Sequence, residues 1–384
     1  MLASPKIKKL HLKNFKCFES LDLEFKNITL LAGVNGAGKS SVIQSLLLLK
    51  QSILDNSFNS NDNNVLALNG EFVEIGKGKD ALYEYAKSDI LSIGIVGENG
   101  ALSYQFIYDA DLDILKFKEE QELSKDERYR KIYELSNSGL IDKSFQYLRA
   151  ERIGPSPTYF MSDRYVKSLN QIGLKGEFAA HYLAEYGKTD AMLPQLFHPN
   201  QSSSKLLDQV EAWMGEISPG VQITATPVDN AELVSLSYAF KTNKEFSNKY
   251  RSTNVGFGIT YALPVVLALL NAKAGAVVII ENPEAHLHPK GQTKMGELLA
   301  RAASAGIQII VETHSDHILN SLRIAVKHKV LTPEQISINF FRREEYAGYP
   351  YTEVVPIAIN NEGQLNYWPE EFFDEWDKNL QELL

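Results

Sequence analysis

The 384-residue sequence contains a single cysteine, Cys17. No internal disulfide can form, which fits a reducing, cytoplasmic compartment. Long hydrophobic runs are also missing. Stretches such as LLLL at 46–49 and AVVII at 276–280 fall far short of the roughly 18 residues of a membrane span, so no membrane association is expected. Residues 1–12 carry lysines but no apolar segment followed by a small-residue cleavage site, and no secretory signal is expected. Basic charge is in deficit: 39 Lys and Arg stand against 48 Asp and Glu, for a net charge of −9. That balance disfavours wholesale coating of nucleic acid and leaves room only for a local basic strip. Internal repeats, low-complexity tracts and sustained heptads are absent, which excludes a long coiled-coil arm. An N-K-x-D base-reading motif is absent as well, which disfavours a P-loop GTPase. What is present is ordinary globular material, 44% hydrophobic and 23% charged, enough for one large domain or two lobes.

Along the chain, KIKKLHLKNF (6–15) alternates apolar and basic residues and predicts a strand with one wet face. ITLLAG (28–33) is apolar throughout and predicts a strand covered on both faces. The pattern then becomes helical from Lys39, with one apolar face. DNSFNSNDNN (55–64) predicts a loop, and residues 89–108 a hairpin around the turn ENGA. The mixed-charge stretch 116–143 predicts a solvated helical insertion. A short strand and a Pro/Gly turn follow at 145–157, then a helix-rich middle extending to about residue 215. Strands resume at VQITATPV and ELVSLSYAF. Thereafter YALPVVLALLNA, AVVIIEN, GQTKMGELLARAASAG and IQIIVETHS alternate helix and strand, which predicts a parallel sheet covered by helices.

GVNGAGKS (33–40) fits G-x-x-x-x-G-K-[ST], a match expected by chance in roughly one such chain in a hundred. Its place between an apolar strand and a helix is the context its chemistry needs. Gly36 and Gly38 let the backbone curl so that N–H groups point at phosphate oxygens, with the helix N-terminus adding positive potential. Lys39 would reach the β- and γ-phosphates, and the Ser40 hydroxyl would take a Mg²⁺ position. Asn35, Gly36, Ala37, Gly38, Lys39, Ser40 and Ser41 are therefore the candidate nucleotide-binding residues, with ATP and Mg²⁺ as cofactors.

AVVIIE ends in Glu281, a carboxylate suited to the metal side of such a site. It is one methylene longer than an aspartate and can act through a metal-bound water. Asn282 can orient water through its amide but cannot accept a proton. Glu284 can, if the turn at Pro283 swings it inward; it would equally serve as a helix-start charge. His286 and His288 lack further zinc-type ligands, so metal binding by them is rejected. IQIIVE runs into Thr313, His314 and Ser315, and His314 at a strand tip can position water or a phosphate oxygen. Glu281, Glu284 and His314 are the catalytic candidates, and Ser40 and Glu281 the metal candidates.

Together these motifs resemble the AAA-family, ABC-type ATPase heads of the overcoming-lysogenization-defect, RecF and SMC group. LHLKNFKCFESLDLEF with ITLLAGVNGAGKSSVIQSLLLL looks like that group's N-terminal strand pair and Walker A. ENPEAHLHP looks like its Walker B and D-loop, where E-E-P-E-A-H-L-H-P is common, and ETHS like its switch-histidine strand. The resemblance is close over the first 55 residues or so and over 250–320. YLRAERIGP (147–155) and GQLNYWPEEFFDEW (363–376) resemble a bacterial subfamily with a C-terminal domain of unknown function, of a kind frequent in phage defence.

The resemblance implies an α/β P-loop fold of ABC-ATPase head type, a mixed sheet flanked by helices with an inserted helical lobe. It divides the chain into 1–110 with Walker A, an inserted lobe at 111–250, 251–330 with the signature-like loop, Walker B and switch histidine, and an extension at 331–384. It further implies an ATP-sandwich homodimer or higher oligomer, in which a signature loop acts in trans. STNVGFGIT (252–260) is the candidate, with Gly256 and Gly258 presenting N–H groups to phosphate and Ser252, Thr253 or Asn254 supplying the side-chain donor. The sequence departs there from LSGG. The Gln that links nucleotide to the helical lobe in such heads has no clear counterpart, and the Arg149–Arg152 turn is its candidate replacement.

No nuclease constellation follows the ATPase motifs, so a partner effector such as a nuclease or toxin is expected to do any cutting. The leading expectation is an ATPase that hydrolyses slowly and controls such a partner in anti-phage defence. The alternative is a DNA-repair or SMC-like head that binds DNA directly, which the acidic charge and missing coiled coil disfavour. A transporter's nucleotide-binding subunit fits poorly with the altered signature and the C-terminal extension.

Overall fold

In the computed structural model the described residues are 6–55, 57–58, 64–98, 100–118, 138–242, 245–346, 348–370, 372–373 and 375–383. The chain divides into two compact units. Most of the loop expected at 55–64, and the body of the solvated insertion expected at 116–143, lie outside the described residues.

One unit comprises Ser4–Asp142, Ser337–Ile357 and Tyr367–Leu384. Six antiparallel strands form its larger sheet: β1 (Ile7–Phe15), β2 (Phe18–Glu24), β4 (Val65–Ala67), β5 (Ile90–Gly97), β6 (Ala101–Ile107) and β7 (Ile114–Phe117), in the order β2-β1-β5-β6-β7-β4. The alternation read in β1 is realised as buried Ile7, Leu10 and Leu12 against exposed Lys9, His11 and Lys13. The expected hairpin forms with Ile90 opposite Ile107. β3 (Ile28–Gly33) is buried along its length. It lies beside a long antiparallel hairpin, β15 (Ile336–Tyr346) and β16 (Tyr349–Ile357), in the order β16-β15-β3. Among the described residues this unit also holds a one-turn helix α2 (Gly78–Ala81) and the C-terminal α8 (Glu375–Leu383).

The helix after β3, α1 (Lys39–Leu54), corrects the expectation of one apolar face. Val42, Ile43 and Leu46 to Leu49 are all fully buried, and Ser45, Lys50, Gln51 and Ser52 are buried with them. Four consecutive leucines cover every side of a 3.6-residue turn, so the helix can satisfy them only by being enclosed. Each such leucine contributes about 1.5–3 kcal/mol by leaving water. The buried polar residues find partners: Gln51 spans the carbonyl of Ala67 and the N–H of Val73, and Lys50 donates to the carbonyl of Leu140. Burial pushes the Lys50 ammonium down to about 8, against the pull of Glu71 and Asp142.

The other unit holds Lys143–Ile336 and Ala358–Asn366. Its parallel strands β8 (Gln146–Leu148), β13 (Val277–Glu281) and β14 (Gln308–Glu312) run in the order β14-β13-β8, with Glu281 in register with Glu312. The β-branched runs VVII and IIV are buried on both faces, as parallel strands under helices require. A smaller antiparallel sheet joins β10 (Val221–Pro227), β11 (Leu233–Phe240), β12 (Tyr250–Arg251) and β9 (Tyr159–Phe160), the last two both pairing with β11. Five helices accompany them: α3 (Ala179–Tyr186), α4 (Leu206–Ile217), α5 (Phe257–Asn271), α6 (Pro289–Ser304) and α7 (Asp316–Lys327).

The middle of the chain is less helical than expected. Between residue 158 and α4 the only α-helix is α3, eight residues long. Left-handed Asn170, Gly173 and Gly176 turn the backbone too often for longer helices. The fold is α/β, with mixed sheets flanked by helices. Among the described residues no helix is long and apolar enough to cross a membrane.

Candidate functional site

The glycine-rich loop leaves β3 at Gly33 and enters α1 at Lys39. Gly36 and Gly38 sit in the left-handed region, with φ of 74° and 97°. Ala37 between them is fully buried, whereas Asn35, Gly36 and Ser40 face solvent. A Cβ at Gly36 would meet nothing within 4 Å, so the outer face of the loop is open. α1 begins without a side-chain cap, leaving its first N–H groups to other acceptors. Lys39 is buried, and its Nζ donates to the carbonyls of Gly33 and Val34 at 2.9 Å each. The β1–β2 turn backs this loop: Cys17 Sγ lies 3.9 Å from Ser41 Oγ and packs against Gly38. N–H groups at a helix start, one ammonium and no acidic side chain make a donor set suited to a polyphosphate.

In the other unit the strand ends bring Glu281, Glu284 and His314 together. Glu281, at the tip of β13, is held from β8: its Oε1 accepts from the Tyr147 hydroxyl at 2.7 Å and its Oε2 from the Ala150 N–H at 3.1 Å. Burial, then the charge and hydrogen bond of Glu281, push the Tyr147 hydroxyl well above the ordinary phenol range, so it stays a donor. The chain then turns sharply. Asn282 has φ of 46°, and its N–H donates to the carbonyl of Glu312 at 2.8 Å. Two short bonds, Ala285 N–H to Asn282 and Leu287 N–H to Glu284, close the turn. This turn swings Glu284 back so that its Oε1 accepts from the His314 N–H at 2.8 Å. Burial raises the Glu284 carboxyl above the ordinary 4.5, opposed by the His314 N–H and, more weakly, by the charge of Arg152. The His314 side chain is exposed.

His288 and His286 have separate structural roles. His288 caps α6 by accepting from the Lys290 N–H, and His286 packs edge-on against Tyr261, with ring centroids 4.6 Å apart. Ser315 caps α7 and donates to Gln292 Oε1 at 2.6 Å, tying α6 to the end of β14.

The signature-like loop forms a short 3₁₀ turn, Ser252–Asn254, followed by Gly256 at the N-cap of α5. Thr253, Asn254 and Gly256 are exposed, as is Phe257. Ser252 departs from its expected part: it is fully buried and its hydroxyl donates to the carbonyl of Ser156, so it is committed inward. Gly258 faces the acid turn instead of solvent, since a Cβ there would stand 2.5 Å from the carbonyl oxygen of His286.

Tyr147 and Arg152 escaped sequence reasoning as partners of the acids. Arg152, in the turn considered as a link to nucleotide, points inward and is 3% exposed. It donates to the carbonyl of Asn282 at 3.0 Å and to that of Glu281. Burial pushes its guanidinium down to about 10, with Glu284 and Glu281 pulling it up. Only the pairing of β8 with β13 brings these residues to the acid turn, and the spacing of YLRAER does not show that pairing.

Comparison with known proteins gives the family and the fold. A family model described as AAA ATPase domain matches residues 6–319, and one described as protein of unknown function (DUF3696) matches residues 331–383. No curated protein matches the sequence significantly. Among solved structures, an Smc head bound to the C-winged helix domain of ScpA aligns with a TM-score of 0.56 at 13% identity, covering 92% of this chain and 98% of that one. An Smc head domain with an extended coiled coil, bound to the C-terminal domain of ScpA and derived from Pyrococcus furiosus, aligns with a TM-score of 0.50 at 11% identity, covering 98% and 99%. The fold is therefore that of the SMC-head, ABC-type ATPases.

Proposed function

The chain belongs to the AAA ATPase domain family, and from that premise we propose that it binds ATP with Mg²⁺, hydrolyses it slowly, and uses the bound state to control a partner protein. The observation that carries this reading is the loop 33–40, with Gly36 and Gly38 left-handed and Lys39 buried beneath it. Asn35 to Ser41 take the phosphates. Ser40 and Glu281 hold the Mg²⁺, which supplies neutralisation of phosphate charge when bound. Glu281 fits this part, because a carboxylate has about four acceptor sites and Tyr147 and Ala150 occupy two.

Glu284 acts as the general base and His314 positions the water or the terminal phosphate. The family model covers both motif sets, which is the ground for assigning them to one reaction. By the resemblance, Asn282 stands where many of that group place a glutamate, and its amide can orient water but not accept a proton. Slow turnover follows from that substitution.

Thr253, Asn254 and Gly256, exposed at the start of α5, serve a second copy of the chain in an ATP-sandwich dimer, with Gly258 shaping the backbone behind them. The inserted region 111–250 or the extension 331–384 docks the effector, a nuclease or toxin, in a cytoplasmic phage-defence system. The four-part division at residues 110, 250 and 330 belongs to this proposal. Direct DNA binding is the weaker reading, because on the wet face of β1 Lys9 and His11 are paired with Glu24 and Asp22.

The test is nucleotide binding and turnover by the purified chain. Lys39→Ala abolishes binding of a fluorescent ATP analogue. Glu284→Gln keeps binding and accumulates an ATP-bound dimer on size exclusion. Hydrolysis by Glu284→Gln at the parental rate refutes the base assignment.

A further inference from the structure

Arg152 is the most deeply buried cation beside the acids, and its hydrogen bonds are unusual. Its guanidinium is given to two backbone carbonyls, those of Glu281 and Asn282, while its Nε is buried without a partner. Removing such a charge from water costs several kcal/mol unless well-placed partners answer it. A neutral donor would serve two carbonyls at lower cost, so the charge calls for a further reason.

The backbone supplies part of that reason. In a strand, successive residues face opposite ways, and one planar fork does not meet two consecutive carbonyls along it. The left-handed Asn282, φ 46°, breaks the alternation. The fork of Arg152 spans the result, a rigid two-pronged contact that lysine cannot reproduce. The groups facing Arg152 complete the reason: Glu284, Glu281 and Tyr261. Glu284 itself accepts from the His314 N–H, with its own N–H and the Thr313 side chain also acting on the carboxyl, and its Oε2 is buried. These contacts come from the end of β14 and from the turn itself, so the carboxylate keeps its place only while that turn is fixed.

We propose that Arg152 is a positioning residue for hydrolysis: by clamping the carbonyls of Glu281 and Asn282 it fixes the left-handed turn that presents Glu284. Its hydrogen bonds go to the backbone of the turn, so in this role it acts through Glu284. The inference rests on the reading of Glu284 as the base, and the experiment separates the two.

Single-turnover ATP hydrolysis and the dissociation constant of a fluorescent ATP analogue are measured for the full chain, for Arg152→Lys, for Glu284→Gln and for the double variant. Arg152→Lys lowers the hydrolysis rate by about 10- to 100-fold, the scale of a misplaced catalytic group, with nucleotide affinity unchanged. Glu284→Gln lowers it by about 10²- to 10⁴-fold. Arg152→Lys has no further effect in the Glu284→Gln background, since the residue it acts through is already disabled. Should Arg152→Lys fail to fold, Arg152→Gln, which keeps N–H donors without the charge, gives the same comparison.

Parental hydrolysis by Arg152→Lys beside an impaired Glu284→Gln overturns this inference alone. Equal losses from Arg152→Lys in both backgrounds, or a loss matched by weaker nucleotide binding, overturn it too. Parental hydrolysis by Glu284→Gln overturns the base reading and the inference with it.

Discussion

Gly36 and Gly38 give the P-loop its shape, and they differ in a way that stability measurements can read. Both are left-handed, where alanine costs about 1 kcal/mol more than glycine. Their surroundings are opposite. A Cβ at Gly36 meets nothing within 4 Å, whereas at Gly38 it stands 2.4 Å from Cys17 Sγ and 2.9 Å from Phe18 Cζ. Non-bonded heavy atoms rest at about 3.5–4 Å, so the β1–β2 turn must yield by about 1 Å or the loop must distort. Forced overpacking of that kind costs about 1–3 kcal/mol.

Gly36→Ala is therefore expected to lose about 1 kcal/mol and Gly38→Ala about 2–4 kcal/mol, in urea unfolding followed by circular dichroism without nucleotide. Adding Cys17→Ala to Gly38→Ala restores part of the loss, because it removes the sulfur but leaves the ring of Phe18. Equal destabilisation at the two glycines, or a Cys17→Ala effect that simply adds to that of Gly38→Ala, refutes the reasoning.

Three further outcomes are expected. The native Glu284 carboxyl is raised above 4.5, chiefly by burial. Its contribution to stability is full below pH 4.5 and lost as the pH rises through the native value. Urea midpoints for Glu284→Gln minus wild type should therefore grow from pH 4.5 towards neutrality; a flat difference contradicts this. Lys50 is lowered from 10.5 to about 8, so the native state gains stability relative to the unfolded chain as the pH rises from 8 to 10.5. The gain of about 3 kcal/mol should vanish in Lys50→Met. Tyr147→Phe removes the hydroxyl bonded to Glu281 and is expected to cost about 1.5–3 kcal/mol in urea unfolding, as for a hydrogen bond to a charged group.

Local chemistry was legible where it depends on neighbours in the chain. β3 and β13 announce themselves by unbroken apolar runs, and the loop after β3 by two glycines at fixed spacing. The hairpin at 89–108 follows from alternation around a turn-forming Asn-Gly. Long-range placement was not legible. Ser252 looks like a free donor in STNVGFG, yet the carbonyl of Ser156, 96 residues earlier, takes its hydroxyl. What encloses α1 cannot be read from its own residues, since the groups that satisfy Lys50 and Gln51 come from Leu140, Ala67 and Val73. The hairpin β15–β16 lies outside the motifs, and its register pairs Arg342 with Glu353 across the strands.

Asn282 illustrates how a residue read for chemistry also has a backbone reason. By position in ENPEAHLHP it looks like a base replaced by an amide. With φ at 46°, it occupies a region that asparagine tolerates better than most side chains, because its short amide can bond locally. A glutamate at this site would have to bear a strained backbone, or else straighten the turn that Arg152 clamps and that carries Glu284 to the His314 N–H. The acid turn works as one unit, in which the identity of residue 282 and the reach of Glu284 are set by the same left-handed peptide.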